Sequence, residues 1–145
     1  MVETTHDQIQ TMVLAEKLAQ TLKGGEIIAL SGDLGSGKTT FTKGLAEALK
    51  VEEIITSPTF VVLKVYPAKL SNNQKIEFVH IDAYRAETIE DIKSVGIEDY
   101  LNRADVVIVI EWPEKIQEIL PKNTMKISFK FIGENSREIK AEDKT

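Results

Sequence analysis

The stretch Ile27-Ile28-Ala29-Leu30-Ser31-Gly32-Asp33-Leu34-Gly35-Ser36-Gly37-Lys38-Thr39-Thr40-Phe41 decides the fold. Its first four residues form an apolar run too continuous to alternate, which predicts a strand buried on both faces. From Lys38 to Leu49, Phe41, Leu45, Ala48 and Leu49 fall at helical spacing, so a helix follows the turn. Between strand and helix, Gly32–Thr39 fits G-x-x-x-x-G-K-[ST] in every fixed position. Glycines let such a loop take positive φ and turn backbone N–H groups inward around phosphates. The helix N-terminus adds partial positive charge. In this chemistry Lys38 neutralises the β- and γ-phosphates of a nucleoside triphosphate, and Thr39 gives its hydroxyl to Mg²⁺. The pattern recurs by chance in roughly half a percent of chains this long, which leaves little room for a glycine turn that binds nothing. The spacing suits ATP and GTP alike.

Working outward, residues 7–22 predict an amphipathic helix with Thr11, Leu14, Ala15, Leu18, Ala19 and Leu22 on one face, stopped by Lys23-Gly24-Gly25. Phe60–Tyr66 and Ile76–Ile81 read as strands, with Pro67–Lys75 as the hairpin loop between them. A short acidic helix is expected over Ala86–Ser94, closed by Gly96, and a further turn over Ile97–Asn102. Val106–Ile110 is a third apolar run with the form of a central strand. Pro113 ends it, a short helix is expected over Glu114–Leu120, and Met125–Ile132 with Arg137–Ala141 predict a terminal hairpin. The order predicts a three-layer α/β fold, P-loop NTPase-like, whose sheet is mixed and flanked by helices.

At 145 residues the chain suits one domain, residues 1–145. Its 18 basic against 23 acidic residues give a net charge of −5, and no basic stripe is present. Direct nucleic-acid binding by the chain alone is therefore disfavoured. Without cysteine there is no disulfide scaffold or thiolate metal site. No apolar run is long enough to cross a membrane, and MVETTHDQIQ lacks the layout of a signal peptide, so a cytoplasmic location is expected.

A phosphate loop also needs a carboxylate at the end of a neighbouring strand, to hold Mg²⁺ directly or through water. Two positions have this form: Glu111 after Val106–Ile110, and Asp82 after Ile76–Ile81. Each could equally be a surface carboxylate just past a strand. If both are functional, one holds the metal and the other orients or deprotonates the attacking water. Thr59, in Thr56-Ser57-Pro58-Thr59, is either a sensor of the γ-phosphate and metal or part of a proline-stiffened turn. His80 reads as a satisfied strand-end histidine, Arg85 as a surface ion-pair partner and Trp112 as a packing residue beside Glu111. Asn102-Arg103-Ala104-Asp105 is not the guanine-reading N-K-x-D, because it precedes a strand and has Arg second; it reads as a loop.

These residues, taken in order, resemble the TsaE (YjeE) family, the ATPase component of bacterial tRNA threonylcarbamoyladenosine synthesis. The resemblance is carried by Gly32–Phe41, Ser57-Pro58-Thr59-Phe60 and His80-Ile81-Asp82-Ala83-Tyr84-Arg85, then by Gly96-Ile97-Glu98-Asp99-Tyr100 and Glu111-Trp112-Pro113-Glu114. It implies that Gly35, Ser36, Gly37, Lys38, Thr39 and Thr40 bind ATP phosphates and that Thr39 and Glu111 hold Mg²⁺. It makes Asp82 a carboxylate important for hydrolysis and places Thr59 in a switch-like segment; Lys38, Asp82 and Thr59 are thus the catalytic candidates. It also implies TsaD and TsaB as partners, with tRNA met only through their complex. At Arg137 the pattern loosens, because Ser136 stands where the family often carries glycine.

Two other functions share this loop. A small-molecule kinase needs an acceptor pocket and commonly an arginine-bearing lid, whereas this chain has three arginines (Arg85, Arg103, Arg137) and one short candidate insertion. A nucleotide-dependent binding module would use the same residues without turnover. No arginine finger is evident beside the loop, so hydrolysis by the isolated chain is expected to be weak.

Overall fold

Apolar runs and their alternation build the sheet. The structure is a computed structural model that describes residues 2–33, 35–55 and 63–142. Seven strands run in chain order: β1 (Val2–Thr5), β2 (Ile27–Gly32), β3 (Leu63–Lys69), β4 (Lys75–Asp82), β5 (Val106–Glu111), β6 (Met125–Phe131) and β7 (Arg137–Ala141). Three helices join them: α1 (Gln8–Ala19), α2 (Lys38–Ala48) and α3 (Ile89–Lys93). The strands form one sheet in the order β1-β7-β6-β2-β5-β4-β3. Its four central strands, β6, β2, β5 and β4, are mutually parallel; β3 on one side and β7 on the other run antiparallel to them, and β1 at the outer edge pairs antiparallel with β7. The sheet is therefore mixed, as its sequence predicts.

Side-chain alternation assigns the two layers. Ile28, Leu30, Phe78, Val107 and Val109 pack in one core with the buried faces of α1 and α2. Ile27, Val79, Ile81, Ile108 and Ile110 pack in a second core with Ile92 of α3 and Ile97 and Ile116 of two 3-10 turns. Every residue of β5 is buried, as a continuous apolar run requires.

α1 begins at Asp7, whose side chain accepts the Gln10 N–H at 2.8 Å. It lies close on α2 because Gly44 has no side chain: a Cβ there would come within 3.0 Å of the Met12 Cα and of the Ala15 Cβ.

Several expectations are corrected. Pro67 lies inside β3, not in a loop, because β3 is an edge strand paired only with β4, where a missing N–H costs no ladder bond. The hairpin loop is correspondingly short, between Lys69 and Lys75. α3 starts only at Ile89, where Thr88 and Asp91 form a reciprocal capping box, rather than at Ala86. The segment Pro113–Ile119 is 3-10 and broken at Ile116 (φ −133°) instead of one short helix. β1, unanticipated, pairs with β7 and is only four residues long. The Phe60 end of the next expected strand lies outside the described residues.

Gly44→Val should destabilise the chain by about 1–3 kcal/mol, since the added atoms overpack the α1–α2 contact against backbone. Urea denaturation checks this, and an unchanged midpoint would show that the helices can separate freely.

Candidate phosphate and metal site

Sheet register brings the site together. Leu30 pairs with Glu111 across β2 and β5, and Glu111 pairs with Asp82 across β5 and β4. The loop leaving β2 therefore stands beside the carboxyl ends of β5 and β4, the end of a parallel sheet where ligands are bound. Alternation does the rest: His80, Asp82 and Glu111 share the sheet face of Phe78 and Val109, which is the face covered by α2.

Gly37 precedes α2 in the left-handed region (φ 106°), a conformation that favours glycine and swings the chain into the helix. Around Gly35 nothing lies within 4 Å of where a Cβ would sit. A cleft of about 890 Å³ opens over this loop, bordered by Gly35, Lys38, Thr39, Asp82, Glu111 and Trp112. Gly37 and Thr40 also line it, whereas Ser36 is buried within the loop, its hydroxyl without a partner among the described residues.

Lys38 is buried except at its tip, donating to the Gly32 carbonyl at 2.5 Å. Its ammonium lies 3.5 Å from the centre of the Trp112 ring, and Trp112 is itself held at φ 62°. Among the described residues Lys38 has no ion pair. Burial lowers its pKa, opposed by the fields of Glu111, Glu114, Asp82 and Asp33. A partly desolvated cation whose close partners among the described residues are a carbonyl and an aromatic face is suited to an anion.

Thr39 Oγ1 donates to Glu111 Oε1 at 3.2 Å. The other carboxylate oxygen, Oε2, lies 2.6 Å from His80 Nε2, and both side chains are buried. Asp82 accepts the Tyr84 N–H at 2.9 Å. Burial raises the pKa of Asp82 and the charge of Glu111 adds to this, while the Tyr84 N–H, His80 and Lys38 oppose it. The residues fit Mg²⁺ bound together with a triphosphate. Thr39 Oγ1 and Glu111 Oε1, 3.2 Å apart, nearly match adjacent octahedral corners, about 3.0 Å apart for Mg–O of about 2.1 Å. Among the described residues no three His, Cys, Asp or Glu side chains could hold a metal by themselves. Mg²⁺ commonly completes such shells with phosphate oxygens and water.

Gly35, Gly37, Lys38, Thr39, Thr40, Asp82 and Glu111 thus converge on one cleft, with Ser36 beneath it. Thr59 lies outside the described residues. The expectation of a satisfied strand-end histidine holds for one ring nitrogen of His80: the side chain is fully buried and its Nε2 is bonded to Glu111, but its Nδ1 has no partner among the described residues. The spacing of His80 and Asp82, two apart on one strand, was the available signal. Arg85 is an exposed residue at the cleft with no ion pair among the described residues. Arg103 is the arginine that forms surface ion pairs, with Glu77 and Asp105. Arg137 lies beside the loop, donating to the Gly35 carbonyl at 3.3 Å and stacking on Phe131. Trp112 is a cleft residue as well as a packing one, stacked near Tyr84 with ring centres 4.9 Å apart. No helix among the described residues is long and apolar enough to cross a membrane.

Residues 5–139 match the family described as threonylcarbamoyl adenosine biosynthesis protein TsaE. The chain is 38% identical over 130 residues to the tRNA threonylcarbamoyladenosine biosynthesis protein TsaE of Bacillus subtilis, covering 90% of this chain and 77% of that one. It is 38% identical to the protein of the same name from Treponema pallidum, covering 84% of this chain and 85% of that one. The crystal structure of Bacillus subtilis YdiB superposes with a TM-score of 0.74 at 34% identity, over 96% of this chain and 82% of that one.

Because the folded state raises the Asp82 pKa above its ordinary 3.8, folding takes up protons there as pH falls towards that value. Stability tied to Asp82 is therefore present at low pH and lost as pH rises through the raised pKa. Asp82→Asn should raise the urea midpoint at pH 7, and the gain should vanish near pH 3; a loss at pH 7 would contradict the assigned environment.

Proposed function

The chain belongs to the TsaE family, and from that premise we infer that it binds ATP with Mg²⁺ on the Gly32–Thr39 loop and hydrolyses it. The hydrolysis supports formation of threonylcarbamoyladenosine in tRNA, beside the anticodon. The observation that carries this reading is Lys38, a partly desolvated ammonium without an ion pair among the described residues, set at the start of a helix beside the Thr39–Glu111 contact.

Each residue then has a task. Backbone N–H groups from Gly35 to Thr40 wrap the phosphates, and Lys38 neutralises the terminal ones. Thr39 and Glu111 are the groups that hold Mg²⁺, which when bound draws charge from the phosphate oxygens. Asp82, whose surroundings raise its affinity for a proton, orients the attacking water and accepts its proton. Thr59 senses the γ-phosphate. Arg137 reaches the loop, but its guanidinium is engaged by the carbonyls of Gly35 and Ser136 and the face of Phe131. Arg85 also borders the cleft but is exposed, with no contact to the loop among the described residues; on this reading the further cation for the developing charge comes from a partner, in keeping with action beside TsaD and TsaB. The net charge of −5 accords with contact to tRNA through that complex.

Reconstitution of tRNA modification with and without this chain tests the function; modification that proceeds equally well in both would refute it. Steady-state ATP hydrolysis should be slow for the isolated chain and rise when TsaB, TsaD and tRNA are added. A fast rate that the partners leave unchanged would contradict the account. Lys38→Ala should abolish the change in Trp112 fluorescence on adding MgATP, because the ammonium lies between that ring and the phosphates' place. A response like that of the unsubstituted chain would remove Lys38 from the site.

A further inference from the structure

We propose that His80 is a positioning residue that fixes which oxygen of Glu111 faces the metal, and so sets the Mg²⁺ affinity of the site; this rests on the MgATP reading above. An ionised carboxylate only accepts, so in the 2.6 Å contact with Oε2 of the metal-holding carboxylate, Glu111, the donor is His80 Nε2. That bond leaves Oε1 facing Thr39 Oγ1, 3.2 Å away at the head of α2. Both oxygens of Glu111 are thereby assigned: one is tethered to the sheet, and one is presented to the loop.

The imidazole is an unusual choice for this position if it only fills space. His80 is fully buried, its same-face neighbours along β4 are Phe78 and Asp82, and its cross-strand partners are Val109 on β5 and Lys64 on β3. Its second nitrogen, Nδ1, is buried with no hydrogen-bond partner among the described residues. Leaving a buried polar atom unpaired is destabilising, which an apolar side chain would avoid. The bond to Glu111 is the one polar contact the ring makes among the described residues. Histidine at position 80 is therefore explained by what it does to Glu111. Without it, the carboxylate is released to turn towards Lys38, whose ammonium already feels its field. Partners that orient a metal-holding carboxylate typically change metal affinity by about 10–100-fold.

The test separates positioning from packing. His80→Phe and His80→Leu fill the site but cannot donate, whereas His80→Gln offers an amide N–H at similar reach. Each chain is titrated with Mg²⁺ at fixed ATP, read by Trp112 fluorescence, and with ATP in EDTA. The apolar variants should need about 10–100-fold more Mg²⁺ for half-saturation, with metal-free ATP affinity and melting temperature held. His80→Gln should return the Mg²⁺ requirement to within a few-fold of the parent chain. If the Mg²⁺ requirement of the apolar variants equals that of the parent, the proposal is overturned. A parallel loss of metal-free and metal-dependent affinity, or no rescue by Gln, would also overturn it. Absence of any Mg²⁺-dependent ATP binding by the parent chain would instead overturn the nucleotide reading on which the proposal rests.

Discussion

Leu30, Glu111 and Asp82 lie in one row across three parallel strands, and the geometry of the whole site depends on that row. β2 delivers the loop, β5 delivers Glu111, and β4 delivers Asp82 at the same height. A slip of one residue between β2 and β5 would move Glu111 to the opposite face of the sheet, away from α2. The row is held by β5, buried along its whole length between two cores, so its register is strongly specified. Packing energy in the sheet thus becomes positional accuracy at the loop.

Charge at the site is arranged so that the protein alone leaves it incomplete. Lys38 loses solvation at the foot of the cleft yet forms no ion pair among the described residues, although Glu111, Glu114, Asp82 and Asp33 are all near enough to influence it. Glu111 is turned instead to His80 and Thr39. On the proposed reading, keeping the cation and the carboxylate from neutralising each other leaves Lys38 for phosphate and Glu111 for a metal. Trp112, in a left-handed conformation that is costly for a non-glycine residue, supports the ammonium from one side.

The strand–loop–helix unit was legible in the sequence because its chemistry is local: the glycines, Lys38 and Thr39 are fixed by their spacing to one another. Glu111 and Asp82 were legible as strand-end carboxylates, but their adjacency depends on strand order, which no local pattern encodes. The partner of His80 was illegible for the same reason, since it is 31 residues away on a neighbouring strand. Arg137 reaches Gly35 only because the β6–β7 hairpin folds beside β2. Pro67 looked like a strand breaker because a sequence does not reveal which strand is at an edge. β1 has four residues and draws its stability from β7, so it carries little pattern of its own.

The most direct test of the central claim is a crystal structure of the chain with a non-hydrolysable ATP analogue and Mn²⁺, with the metal located by its anomalous scattering. The account expects the triphosphate over Lys38 and the metal on Thr39 Oγ1, with Glu111 as its nearest carboxylate. A metal seated away from Thr39 and Glu111, or a triphosphate bound outside the Gly32–Thr39 loop, would contradict it.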